Sequence, residues 1–198
     1  FSVIFLTTLI GAAQGLFMAV YGAELAGHGD GAGRSFMALA GGVALLLSGL
    51  GLLASFFHLG HPERAWRAAA QWRTSWLSRE VIALPLFMAL AGLYGLLHWT
   101  GRLQGALAVG ALAAAACVAL FVCTGMIYAC LKFLQEWHSP LTVANFALLG
   151  SASGLTAAAA LAAWLQPALA RGYVTAAFIA GALGYLGRLA SLARNARL

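Results

Sequence analysis

Charge is what this chain has least of. Only 8% of its 198 residues are charged, five acids against eleven Lys and Arg. The three cysteines, Cys117, Cys123 and Cys130, fall on one predicted helix without CxxC spacing. They cannot cross-link distant parts of the chain and support neither a zinc site nor an iron–sulfur cluster, so no metal ligand is assigned. A P-loop, a dinucleotide fingerprint, a nucleophile elbow and an HExxH pattern are all missing, which argues against a self-contained hydrolase or nucleotide enzyme. The shortage of acids leaves a formal net charge of +6. In a soluble protein that balance would hint at nucleic acid, but here the cations sit at the ends of apolar runs, where they anchor segments and set orientation.

What the chain has is hydrocarbon: 63% of its residues are hydrophobic and the mean hydropathy is +0.90. Apolar runs of about 20 residues match the thickness of bilayer hydrocarbon. The fold class is therefore all-α, a polytopic transmembrane bundle forming a single integral membrane domain over 1–198. Six spans are predicted at about 1–27, 35–57, 79–99, 105–130, 142–165 and 172–191, with an interfacial amphipathic helix over 61–77. The first run begins at Phe1 without a basic segment before it, and equally apolar runs follow, so it reads as a span and not as a cleaved leader. The absence of Met at position 1 suggests a trimmed sequence.

In the first span Gln14 lies in mid-run beside a Gly11-x-x-x-Gly15 pair, read as close helix packing. A Gly-rich polar turn, His28 to Arg34, leads to the second span. Then comes the one polar concentration, His58 to Glu80, with two His, four Arg, three Trp and two Glu in 23 residues. Pro62 can open a helix there. At α-helical spacing Trp66, Ala69, Ala70, Trp76 and Leu77 share one side, and Arg64, Arg67, Gln71, Thr74 and Ser75 the other. Such a helix lies in the interface, apolar face down. Arg73 falls on the apolar side, either snorkelling to phosphate or serving a partner. Ser78 is the expected N-cap of the third span, placing Glu80 in its first turn, where the helix dipole favours an anion.

Six spans put the 58–79 loop, the 131–141 loop and both termini on one side. That side holds Arg64, Arg67, Arg73, Arg79, Lys132, Arg188, Arg194 and Arg197, against Arg34, Arg102 and Arg171 on the other. By the positive-inside rule the rich side is cytoplasmic. His58, His61, His138, Glu63, Glu80 and Glu136 share it, so the chemistry belongs at that face.

A membrane-edge cluster of His, Arg and acid beside aromatics suits a lipid-soluble quinone, whose reduction takes two electrons and two protons. His58 or Arg64 supplies a donor to a carbonyl oxygen and Glu80 relays protons from water. The structural alternative for Glu80, a helix-terminal acid paired with Arg64 or Arg79, has equal weight on these residues alone. Haem b is not expected: His58 and His98 lie at opposite ends of their spans and no His is in mid-span.

The run Ala54-Ser55-Phe56-Phe57-His58-Leu59-Gly60-His61-Pro62-Glu63-Arg64-Ala65, followed by Leu77-Ser78-Arg79-Glu80, resembles the membrane-anchor subunit of dimethyl sulfoxide reductase-type molybdenum enzymes, the DmsC family. The opening FSVIFLTTLIGAAQG, the segment Met126 to Trp137 and Pro140-Leu141-Thr142-Val143 are similar to one branch, the SoeC-type subunit of quinone-linked sulfite dehydrogenase. The resemblance implies a bacterial inner-membrane complex with a molybdopterin catalytic subunit and a ferredoxin-like subunit that carries [4Fe–4S] clusters. It implies quinone binding, ubiquinone or menaquinone, at His58, Arg64 and Glu80, with Glu80 as proton relay. Arg64, Arg67, Arg73 and Lys132 are the expected docking residues for the iron–sulfur partner on the cytoplasmic side. Electrons then pass from sulfite to quinone; a quinol-oxidising anchor of a sulfoxide reductase is the alternative, and a transporter or structural anchor lacks its expected internal repeat. The family usually has eight spans, whereas six are counted here.

Overall fold

A computed structural model describes residues 2–57 and 60–198. Six long helices carry the chain: α1 Ser2–Ala23, α2 Ala32–Phe56, α3 Trp76–Thr100, α4 Ala106–Ala129, α5 Pro140–Leu165 and α6 Pro167–Asn195. Each has between 22 and 29 residues, which at 1.5 Å per residue exceeds the roughly 30 Å of hydrocarbon. All six are long and apolar enough to cross a membrane. The protein is a multi-pass helical membrane protein.

The helix ends follow local chemistry. Ser75 is extended and its side chain accepts the Ser78 N–H, capping α3. Ser139 does the same for Leu141 at the start of α5, where Pro140 occupies a position whose N–H would have no partner. Gly101, with φ of 75°, closes α3 in a left-handed turn. Only Gln166 separates α5 from α6, so these two helices form a tight hairpin.

Helix α1 packs chiefly against α2 and α5 and also reaches α4, while α3 lies on α2 and α4 and α6 on α5. Its Gly11 and Gly15 meet Gly150 and Gly154 of α5, and a Cβ at Gly154 would overlap the backbone of Gly15 and Leu16. Small residues on both helices thus let two backbones touch, as the sequence pattern in α1 predicts. Against α4, the buried Gln14 donates Nε2 to the Cys117 carbonyl at 3.0 Å, while Cys117 Sγ lies 3.5 Å from the Gln14 carbonyl. Each such bond in a bilayer contributes about 0.6 kcal/mol, so the pair fixes register more than it adds stability. Toward α3, Phe17 makes edge-to-face contacts with Phe87 and Tyr94 at 5.7 and 5.2 Å between ring centroids.

The segment before α3 differs from the expected 61–77 α-helix. It is a ten-residue 3-10 helix, Pro62–Gln71, followed by a turn, and Trp76 and Leu77 already belong to α3. A 3-10 helix rises about 2.0 Å per residue and aligns side chains three apart. That period turns Ala65 and Ala68 toward the bundle and keeps Arg64 and Arg67 exposed; Trp66 and Ala70, on the side expected to lie against the bilayer, are likewise not covered by the bundle. Three arginines lie over their neighbouring rings, Arg67 on Trp66, Arg73 on Trp72 and Arg79 on Trp76, the last at 4.1 Å from the ring centroid. Arg79 also donates to the carbonyls of Trp72 and Arg73, tying the turn to the start of α3.

Two expectations at this helix start are corrected. Ser78 is not the cap; it is buried in the first turn and is the donor that Ser75 caps. With the helix starting at Trp76, Glu80 stands in the second turn, beyond the reach of the terminal dipole.

Candidate functional site

Glu80 is 9% exposed, on the face of α3 that meets α4. Thr124 of α4 donates its hydroxyl to Glu80 Oε1 at 2.5 Å. Among the described residues no Lys, Arg or His forms an ion pair with this carboxylate. Arg79 is engaged with backbone carbonyls, and Arg64 Nε lies 3.7 Å from Glu63 Oε1. The structural alternative raised by the sequence, a helix-terminal acid paired with Arg64 or Arg79, therefore does not describe Glu80 among these residues.

Glu80 lines a cavity of about 230 Å³ enclosed by α1, α2, α3 and the 3-10 segment. Its walls are Leu6, Leu52, Phe56, Leu84 and Pro85, with Ala65, Trp66 and Ala68 forming the loop side. Among the described residues of this wall Glu80 is the only carboxylate. Pro85 has no N–H for the carbonyl one turn earlier, that of the cavity-lining Val81, which leaves backbone polarity beside the carboxylate. An apolar recess with one convergent ionisable group is the usual form of a small-molecule site. It fits an apolar ring whose oxygens exchange protons.

The other predicted positions are distributed as follows. His58 lies outside the described residues, one position past Phe57, the C-cap of α2; Ser55 and Phe56 of that helix line the cavity. Arg64 is exposed and is not among the described residues lining the cavity. Arg67, Arg73 and Lys132 are exposed on the same side of the bundle as Arg64, in the loops before α3 and after α4. The 131–139 loop is held to α6 by Arg194, which donates to the carbonyls of Gln135 and His138 at 2.9 and 3.2 Å.

Two groups escaped the sequence reading. Thr124 is a lone hydroxyl in an apolar span, and nothing local distinguishes it from the many Thr that bond their own helix. At the other end of the bundle, His98 Nε2 sits 2.9 Å from Glu24 Oε1, both side chains buried. That pair was open to discovery: both residues end odd-numbered spans, which topology brings to one side.

The family model of the DMSO reductase anchor subunit (DmsC) matches residues 1–187. The sulfite dehydrogenase C subunit of Allochromatium vinosum is 54% identical over 213 aligned residues, covering 100% of this chain and 66% of the relative. The C component of the anaerobic dimethyl sulfoxide reductase of Haemophilus influenzae is 32% identical, over 60% of this chain and 43% of its own length. The YnfH component of the Escherichia coli anaerobic dimethyl sulfoxide reductase is 34% identical, over 59% and 41% respectively. The chain thus spans less than two thirds of the length of these curated relatives. No solved structure matches it. With a family model covering 187 of 198 residues, the chain belongs to the DMSO reductase anchor subunit (DmsC) family.

Proposed function

We propose that this chain is the quinone-reactive membrane subunit of a sulfite-oxidising molybdenum complex in the inner membrane, with its catalytic partners in the cytoplasm. The observation that carries the reading is Glu80: the one carboxylate among the described residues of an apolar cavity wall, with one oxygen held by Thr124 and the other, Oε2, left to hold or release a proton. The quinone supplies the two-electron chemistry. Glu80 holds a proton at Oε2 within reach of a ring oxygen, and the walls from α1, α2 and α3 orient the ring and exclude bulk water. His58 and Arg64 are proposed as hydrogen-bond donors to the quinone. Arg64, Arg67, Arg73 and Lys132 are proposed as the docking surface for an iron–sulfur subunit, which receives electrons from a molybdopterin subunit. The 54% identity to a protein named as a sulfite dehydrogenase subunit supports sulfite as the electron source.

The matches to components of two dimethyl sulfoxide reductases support a second reading, quinol oxidation at the same carboxylate with electrons flowing outward to a reductase. The same geometry serves both directions, and the side on which the Arg64 loop lies distinguishes them.

Glu80→Gln keeps the shape and the Thr124 bond and removes the ionisable proton. In the assembled complex it lowers sulfite-to-quinone turnover by about 100-fold or more. Turnover equal to the parent, with the complex intact, overturns the assignment.

A further inference from the structure

The Glu80–Thr124 bond stands between two cavities. On one side is the apolar recess of about 230 Å³ that Glu80 lines. On the other is a larger one, about 500 Å³, enclosed by α1, α4, α5, α6 and the 131–139 loop, and Thr124 lines that one. Their linings have different chemistry. The larger cavity carries Gln14, Asn145 and Ser191 in its wall, with Glu136 and Arg188, both exposed, at its rim. Asn145 donates Nδ2 to Ser191 Oγ at 3.1 Å and leaves its buried Oδ1 without a partner among the described residues. A space this large, with the hydroxyls of Thr7, Thr142, Ser153 and Ser191 in its lining, meets the conditions for ordered water: room for it and polar partners to hold it.

We propose that the larger cavity is an aqueous antechamber for protons, and that Thr124 is the positioning residue through which it serves Glu80. This rests on the reading of Glu80 as the proton group at the quinone. The hydrophobic substrate and the proton then reach one carboxyl group from opposite faces of the α3–α4 contact. The balance is simple. Two electrons come from the iron–sulfur partner, and each ring oxygen takes one proton. When Glu80 gives up its proton from Oε2, water in the antechamber protonates Thr124 Oγ1 while the hydroxyl proton passes to Oε1; rotation of the carboxyl group and of the hydroxyl then restores both groups, at the cost of one proton from the rim side. A hydroxyl suits this step because it donates and accepts at once. In the quinol-oxidising direction the same relay runs outward.

The test uses the whole complex in membranes. Thr124→Val keeps volume and removes the hydroxyl; it lowers kcat with quinone at least about 10-fold, leaves KM for quinone unchanged, and makes the rate fall as pH rises, because proton delivery has become limiting. Thr124→Ser restores turnover and the parent pH profile. Ser191→Leu, remote from the carboxylate, fills the antechamber and reproduces the pH-dependent loss. It also serves if Thr124→Val fails to assemble. A Thr124→Val complex, or a Ser191→Leu complex where the former does not assemble, with parental kcat and pH profile beside an inactive Glu80→Gln complex overturns the antechamber and leaves the role of Glu80 standing. Parental rates in both Glu80→Gln and Thr124→Val overturn the two together. A pH-independent loss that Thr124→Ser does not restore shows a packing role and overturns the relay.

Discussion

His98 Nε2 lies 2.9 Å from Glu24 Oε1 at the end of the bundle opposite Glu80, with His98 1% exposed. The Tyr94 ring lies 4.6 Å from that imidazole, tilted 60° to it, and the second Glu24 oxygen has no partner among the described residues. The pair closes α1 onto α3 where both helices end. Removing one member leaves a buried group with nothing to hold it, which costs more than the pair itself contributes. His98→Ala is expected to destabilise the subunit by roughly 3 kcal/mol, read as a lower melting temperature of the detergent-solubilised complex. An unchanged melting temperature contradicts the pairing.

The α1–α5 contact makes a similarly sharp prediction. Gly154→Val places a side chain inside the backbone of Gly15 and Leu16, whereas a Cβ added at Gly172 in α6 would meet nothing within 4 Å. The first variant is expected to lose membrane-integrated, assembled subunit and Gly172→Ala to retain it, measured by immunoblot of membranes and by co-purification. Equal recovery of both would show that the two helices do not touch.

Much of this bundle was legible because the bilayer imposes it: runs of about 20 apolar residues have few alternatives to a spanning helix. The cap at α3 was legible in kind but misplaced in position, since Ser75 and Ser78 are both good caps and only the backbone chooses between them. The 61–77 segment misled because Ala65 has alanines both three and four positions on, at Ala68 and Ala69, which leaves α and 3-10 periods unresolved in ten residues. Glu80 stood out as an acid at the edge of an apolar run. Thr124 did not, since its importance comes from a residue 44 positions away. Contacts of that kind exist only once α3 and α4 are packed.

The exposed arginines of the 3-10 segment carry the docking proposal. Arg64→Glu and Arg67→Glu are expected to weaken retention of the iron–sulfur subunit and to make it more sensitive to salt, because these side chains project from the bundle into water. Co-purification across a salt series checks it. Normal yield at every salt concentration would exclude these residues from the interface.

Orientation is tested at Thr74, which is exposed in the turn before α3, whereas the neighbouring Ser75 is occupied as a cap. Thr74→Cys, with Cys117, Cys123 and Cys130 replaced, is expected to resist an impermeant thiol reagent in intact cells and to react after lysis. Labelling from outside would move the assignment to the quinol-oxidising reading.

The central claim is that the quinone head group sits in the apolar recess at Glu80. The most direct measurement is photolabelling of the assembled complex with an azido-quinone, followed by peptide mapping. The account predicts adducts on the segments that wall the recess, around Leu52 to Phe56, Ala65 to Ala68 and Glu80 to Pro85, suppressed by excess unlabelled quinone. Adducts confined to the larger cavity, near Tyr128, Asn145 or Ser191, would contradict it.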